Sequence, residues 1–118
     1  MPRDNIERDQ RRDLFPGALE MMVLQTLRRR PLHGYAIAVS IREASGDLLQ
    51  IEEGTLYPAL QRLLREGWVD AEWGISPRNR KVRIYRITAS GRKQLEREWT
   101  AFERMNVAIN RVMRPAET

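Results

Sequence analysis

No cysteine occurs anywhere in the 118-residue chain, and histidine occurs once, at His33. Disulfides, thiolate nucleophiles and iron–sulfur clusters are thereby excluded, and nearly every zinc-site pattern with them. Aromatic residues amount to only 7%. The longest unbroken apolar run, residues 35–39, is far short of the roughly 20 residues needed to cross a bilayer. The opening stretch MPRDNIERDQRRD mixes both charge signs and has no apolar segment of the kind a secretory leader requires. The expectation is a soluble, cytoplasmic domain without membrane contact. No phosphate-cradling glycine loop is present, and His33 has no nucleophile or second ligand near it in sequence. Catalytic residues, metal and cofactor therefore have no carrier, and no enzyme is expected.

What is present is a chain 42% hydrophobic and 31% charged, enough for one domain with a modest core and large uncovered faces. The net charge is +5, from 21 basic and 16 acidic residues. Residues 1–16 carry four of each sign and residues 17–67 six of each, so both segments cancel. The surplus lies wholly after Gly67, with five basic against two acidic groups in 68–87 and six against four in 88–118. A localised cationic stripe is the footprint of a polyanion binder. Nineteen of the basic residues are Arg, a bias that a GC-rich genome would also produce without selection for phosphate contacts.

Hydrophobic spacing divides the chain. Residues 1–16, closed by Phe15-Pro16-Gly17, read as an N-terminal arm. Leu19, Met22, Val23 and Leu27 follow helical spacing over residues 18–27. After His33-Gly34-Tyr35, the positions Ile37, Ile41 and Ala44 predict a second helix stopped by Gly46. In EEGTLYPALQRLLREG a third helix sets Leu56, Leu60, Leu63 and Leu64 on one face and Thr55, Tyr57, Gln61, Arg62 and Arg65 on the other. Pro58 within it removes a backbone donor and predicts an irregular or kinked first turn. The period then changes to two. Val69, Ala71 and Trp73 alternate with Asp70 and Glu72 as a half-buried strand, and GISPRNRK supplies turn formers. Residues 82–87 read as a second strand with apolar groups on both faces. Thr88 is placed to cap a long helix over residues 89 to about 113. Three helices, a two-stranded ribbon and a final helix give a mainly α chain with a small β-hairpin, the order of a winged helix-turn-helix over 17–88. Residues 89–118 form its C-terminal helix and tail. That fold serves protein contacts as well as nucleic acid.

The ribbon tip carries Arg78, Asn79, Arg80 and Lys81, with Arg83 and Arg86 behind. Such a wing reaches phosphates or a minor groove, although charge on an exposed hairpin also guards it against edge pairing. Thr55, Tyr57, Gln61 and Arg62 make the third helix a candidate recognition helix. Tyr35, at the start of the second, could hold a phosphate at the helix dipole or lie half-buried. In the last helix Leu95, Phe102 and Ile109 are seven apart, as are Trp99, Asn106 and Met113 at an offset of four, which is a heptad seam with one polar position. Homodimerisation follows; the alternative is that the stripe packs on its own domain. Trp99 and Phe102 together are a candidate pocket for a small, flat apolar effector, against the simpler reading that they only pack.

Phe15-Pro16-Gly17-Ala18-Leu19, Pro31-Leu32-His33-Gly34-Tyr35, Glu53-Gly54-Thr55-Leu56-Tyr57-Pro58-Ala59-Leu60, Gly67-Trp68 and Tyr85-Arg86-Ile87-Thr88 with Gly91 resemble the PadR family of bacterial transcriptional regulators over roughly residues 14–113. The chain looks like the compact branch with a single C-terminal helix, most like a group abundant in acidobacteria. The resemblance implies a winged-helix homodimer binding double-stranded operator DNA, usually as a repressor. By that analogy the third helix, with Thr55, Tyr57, Pro58 and Arg62, enters the major groove, Tyr35 lies near phosphate, and the wing at residues 78–81 contacts backbone or minor groove. The final helix makes the dimer. The family pattern carries a proline where Pro58 stands. Relatives often have Trp near the position of Phe102, whereas here the indole is at Trp99, so a slot between paired tryptophans does not carry over residue for residue. A winged-helix module that docks on another protein without reading DNA is the alternative function.

Overall fold

The computed structural model of the chain describes residues 17–114; the arm expected over 1–16 and the end of the tail lie outside them. The elements are α1 (Ala18–Arg29), β1 (Leu32–His33), α2 (Gly34–Ala44), α3 (Glu53–Arg65), β2 (Val69–Ile75), β3 (Lys81–Ile87) and α4 (Ala89–Met113). All four expected helices are present. Leu24, Ile37, Leu56, Leu60 and Leu63, one from each of α1 and α2 and three from α3, are fully buried and meet at the centre of the domain. Val69, Tyr85 and Ile87 close that core from the sheet, and Leu95 closes it from α4. Leu64, expected on the same face of α3, is only partly buried.

The sheet has three antiparallel strands in the order β1-β3-β2, not two. β1 pairs Leu32 with Tyr85 and His33 with Ile84. A strand of two residues is too short to show alternation, and Pro31 before it gives no ladder donor, so periodicity passes over it. A second correction concerns Trp73. Its alternation with Val69 and Ala71 predicts a half-buried position, yet it is 63% exposed, because the helices cover only the base of the sheet. Pro58 does not end its helix, which runs from Glu53 to Arg65, and in the first turn the Glu52 carbonyl accepts from both the Thr55 amide at 3.0 Å and the Leu56 amide at 2.9 Å. Pro58 withholds the donor that would reach the Gly54 carbonyl, and Gly54 is exposed, so solvent can take that donor's place.

Two short connections fix where the outer elements point. Gly67 follows α3 at φ 76°, a left-handed position that only a residue without Cβ adopts at little cost. Its carbonyl accepts from the Thr88 hydroxyl at 2.7 Å and the Ser90 hydroxyl at 3.0 Å. Thr88 also caps α4, its hydroxyl oxygen accepting from the Gly91 amide at 3.0 Å. A side chain at Gly91 would collide with the Trp68 carbonyl, so the first turn of α4 is seated directly on the entry to β2.

Candidate nucleic-acid interface

The wing turn is built from the five residues 76–80 between β2 and β3. The Asn79 amide donates to the Ser76 carbonyl at 2.8 Å, the Ser76 amide to the Arg80 carbonyl at 2.8 Å, and the Arg80 amide to the Ser76 hydroxyl at 3.2 Å. Pro77 presets its own φ within the turn, and Asn79 takes the left-handed position at φ 61°, which asparagine tolerates better than most side chains. This turn holds Arg78 and Arg80 at the protruding end, both exposed, with Lys81 and Arg83 exposed on the strand behind. Arg86 is spent differently: it pairs with Glu72 across the ladder at 3.2 Å.

The start of α2 carries one phenol of its own, Tyr35, and meets a second, Tyr57, from α3. Tyr57 crosses the start of α2 so closely that a Cβ on Gly34 would stand 2.9 Å from its hydroxyl. Tyr35, the next residue, is 62% exposed and its ring lies 6.5 Å from that of His33. Tyr57 is 41% exposed. Behind it, burial pushes the Tyr85 phenol up from the ordinary tyrosine value, Arg83 pulls it down and Tyr57 adds to the rise. Pro58 and Gln61 are exposed on α3, while Thr55 is half-buried. Arg62 is exposed but not unpartnered: its guanidinium meets the Glu20 carboxylate of α1 at 2.6 Å.

Glu20 and Gly34 are the contributors that sequence reasoning missed. Glu20 falls on the same helical stripe as Val23, Leu24 and Leu27, and is 8% exposed. An acid on a buried stripe demands a cationic partner, which is the signal that could have found it. Gly34 gave no comparable sign, because its role depends on a ring from another helix.

α4 divides in two. Leu95 is buried in this chain's own core and Phe102 packs partly against it, so the first positions of the heptad stripe belong to the domain. Trp99, Ile109 and Met113 are exposed, as is Asn106, whose main-chain carbonyl accepts from the Asn110 side-chain Nδ2 at 3.0 Å. The Trp99 and Phe102 rings stack with centroids 6.0 Å apart but open to different spaces. Trp99 borders a cavity of about 580 Å³ with Met21, Met22 and Leu95, and Phe102 one of about 260 Å³ with Gly17 and Met105. Among the described residues no group of acidic or histidine side chains could hold a metal ion, and no helix is long and apolar enough to cross a membrane.

Comparison with known proteins gives these surfaces a context. The model of the transcriptional regulator PadR-like family matches residues 23–97. An uncharacterised protein of Lysinibacillus sphaericus is 32% identical over 92 residues, covering 75% of this chain and 84% of that protein. The negative transcriptional regulator PadR of Bacillus subtilis is 28% identical over 81 residues, 69% of this chain but 44% of the relative, so the chain spans less than half of that protein. Among solved structures, a transcriptional regulator from Clostridium thermocellum superposes with a TM-score of 0.79 at 28% identity, over 86% of this chain and 99% of the other. A PadR family transcriptional regulator from Eggerthella lenta gives 0.78 at 28% identity, over 98% and 99%.

Proposed function

Since this chain belongs to the family of PadR-like transcriptional regulators, we propose that it works as a homodimeric repressor reading a pseudo-palindromic operator through α3 and the wing. The family consists of DNA-binding regulators rather than enzymes, and the winged-helix fold is theirs. The finer assignment gives Thr55, Tyr57, Pro58, Gln61 and Arg62 to the major groove. Tyr35 goes to phosphate, and Arg78, Asn79, Arg80, Lys81 and Arg83 to the wing contact. Residues 17–88 are then the reader, residues 89–118 the dimerisation helix and tail, and the cytoplasm the place of action.

The observation that carries this reading is the uncompensated charge at the wing tip. Arg78 and Arg80 are held outward by a hydrogen-bonded turn with no acid in it, as phosphate contact requires. Support for the homodimer comes from the stretch of α4 from Trp99 onward, where Trp99, Asn106, Ile109 and Met113 are exposed at heptad spacing. The experiment that tests the whole is selection of random duplex DNA by the purified protein. An inverted repeat, with half-sites about 10 base pairs apart or a multiple of that, is expected; enrichment of a single asymmetric site would contradict it. The exposed apolar positions of α4 also favour a second reading, a module that docks on another protein. Replacing Arg78, Arg80 and Lys81 together by Ala separates the two: DNA affinity falls across all sequences under the first, and partner binding is untouched under the second. A small apolar effector in the space beside Trp99 is a further part of the proposal, read out as reciprocal weakening of ligand and operator binding.

A further inference from the structure

The wing carries more apolar surface than a charged tip needs. Residues facing each other across an antiparallel ladder share a side of the sheet, so the pairs Ala71↔Tyr85, Trp73↔Arg83 and Ile75↔Lys81 form one continuous stripe. At its base this stripe is roofed by the helices and Tyr85 is buried. Two residues outward the roof ends, and Trp73 and Ile75 are each 63% exposed. On the reverse side Ile84 lies across Gly74 so tightly that a Cβ there would strike its terminal methyl. Lys81 Nζ stands 5.0 Å over the Trp73 ring, within cation–π range. The ring and the cation thus form one unit, with Arg83 directly opposite on the ladder.

A single exposed indole needs no explanation. An indole and an isoleucine side by side, bracketed by Lys81, Arg83 and the arginines of the turn, have the chemistry of a surface that meets a polyanion with apolar walls. We infer that the Trp73 and Ile75 edge of the wing is a minor-groove contact, lying against deoxyribose while Lys81 and Arg83 take the flanking phosphates. This rests on the proposed reading in one respect: with α3 in the major groove, the wing falls beside it on the adjacent minor groove. Apolar side chains are regular occupants of that groove. The contact would add affinity without releasing counterions, because neither Trp73 nor Ile75 carries charge.

The test uses the full chain labelled with 5-fluorotryptophan and a random-sequence 30-base-pair duplex pool. Three fluorine resonances are expected, with that of Trp73 identified by Trp73→Phe. The inference expects this resonance to shift on adding duplex and to return when the minor groove is occupied by netropsin. It also expects Trp73→Ala to weaken binding about tenfold with the salt slope unchanged, and Lys81→Ala to reduce that slope by about one. Ile75→Ala, at an exposed position, gives a second variant whose fold is not at risk. A Trp73 resonance that stays put while the wild-type protein binds duplex would overturn the inference and leave the DNA-binding reading standing, as would Trp73→Ala and Ile75→Ala proteins that bind like wild type. Wild-type protein that binds no duplex at low salt would overturn both.

Discussion

Arg62 is an α3 cation whose position is set from outside its helix. Its partner Glu20 is almost fully buried, whereas Arg62 itself reaches solvent. Removing the cation leaves a buried carboxylate unpaired, and Arg62→Ala is expected to cost about 1–2 kcal/mol in urea denaturation, the exposed end discounting the full penalty. Combining it with Glu20→Gln should recover part of the loss, since the charge left behind is then gone; a double-variant loss equal to the sum of the two single losses would mean that the pair is not coupled. Gly34→Ala acts by shape. Its methyl would stand 2.9 Å from the Tyr57 hydroxyl, and the half-exposed ring can swing away. Duplex affinity should then fall about as far as in Tyr57→Ala, while the melting temperature changes little. A large loss of thermal stability instead would mean that the ring cannot move and that Gly34 matters to folding first.

Among the elements, α4 depends most on a single side chain. Thr88→Ala removes the acceptor for the Gly91 amide and one donor to the Gly67 carbonyl. The expected cost is about 1 kcal/mol, or roughly 4–8 °C in a thermal melt, and Thr88→Ser should restore most of it. Long, strongly periodic elements were legible in the sequence for the same reason that they are stable: α1, α2, α3 and α4 each commit several apolar residues to one side. The N-cap at Thr88 and the change of period at Val69 were equally plain. What could not be read lies between elements. β1 has two residues and therefore no period, and Trp73 continues an alternation whose burial stops where the helices stop. Pro58 breaks a local rule at a point where the carbonyl it would have served is on an exposed glycine. The candidate interface was legible as residue types, in the tyrosines and the basic tip, but Glu20 under Arg62 and Gly34 under Tyr57 belong to tertiary packing and needed the fold.

The whole molecule is more extended than its length requires. Its radius of gyration is 16.4 Å and its longest dimension 62 Å, where a compact chain of this size would have a radius of about 13 Å. The 25 residues of α4 span about 37 Å and run beyond the core that holds Leu95. An isolated molecule would leave Val112 and Met113 more than 70% exposed. Sedimentation is therefore expected to give a dimer mass at micromolar concentration, with Asn106→Leu changing the dimer's stability or its order. A monomer at every concentration would remove α4 from the proposed seam. If the dimer neutralises on the order of six phosphates, log K should fall with log salt at a slope near −5.

The joint at the start of α4 has a mechanical meaning. The Gly67 carbonyl takes two hydroxyls, the Thr88 amide donates to the Trp68 carbonyl at 3.0 Å, and Gly91 leaves no gap beneath the helix. A beam clamped in this way has no free hinge, so two reading heads carried on paired beams would keep a set separation and a set angle. The protein would then measure DNA as calipers do. Inserting five base pairs between half-sites rotates one of them to the far side of the duplex, and binding should collapse to that of a single half-site. Inserting ten restores the facing but not the distance, and a clamped joint predicts little recovery there, whereas a slack one would follow the helical turn.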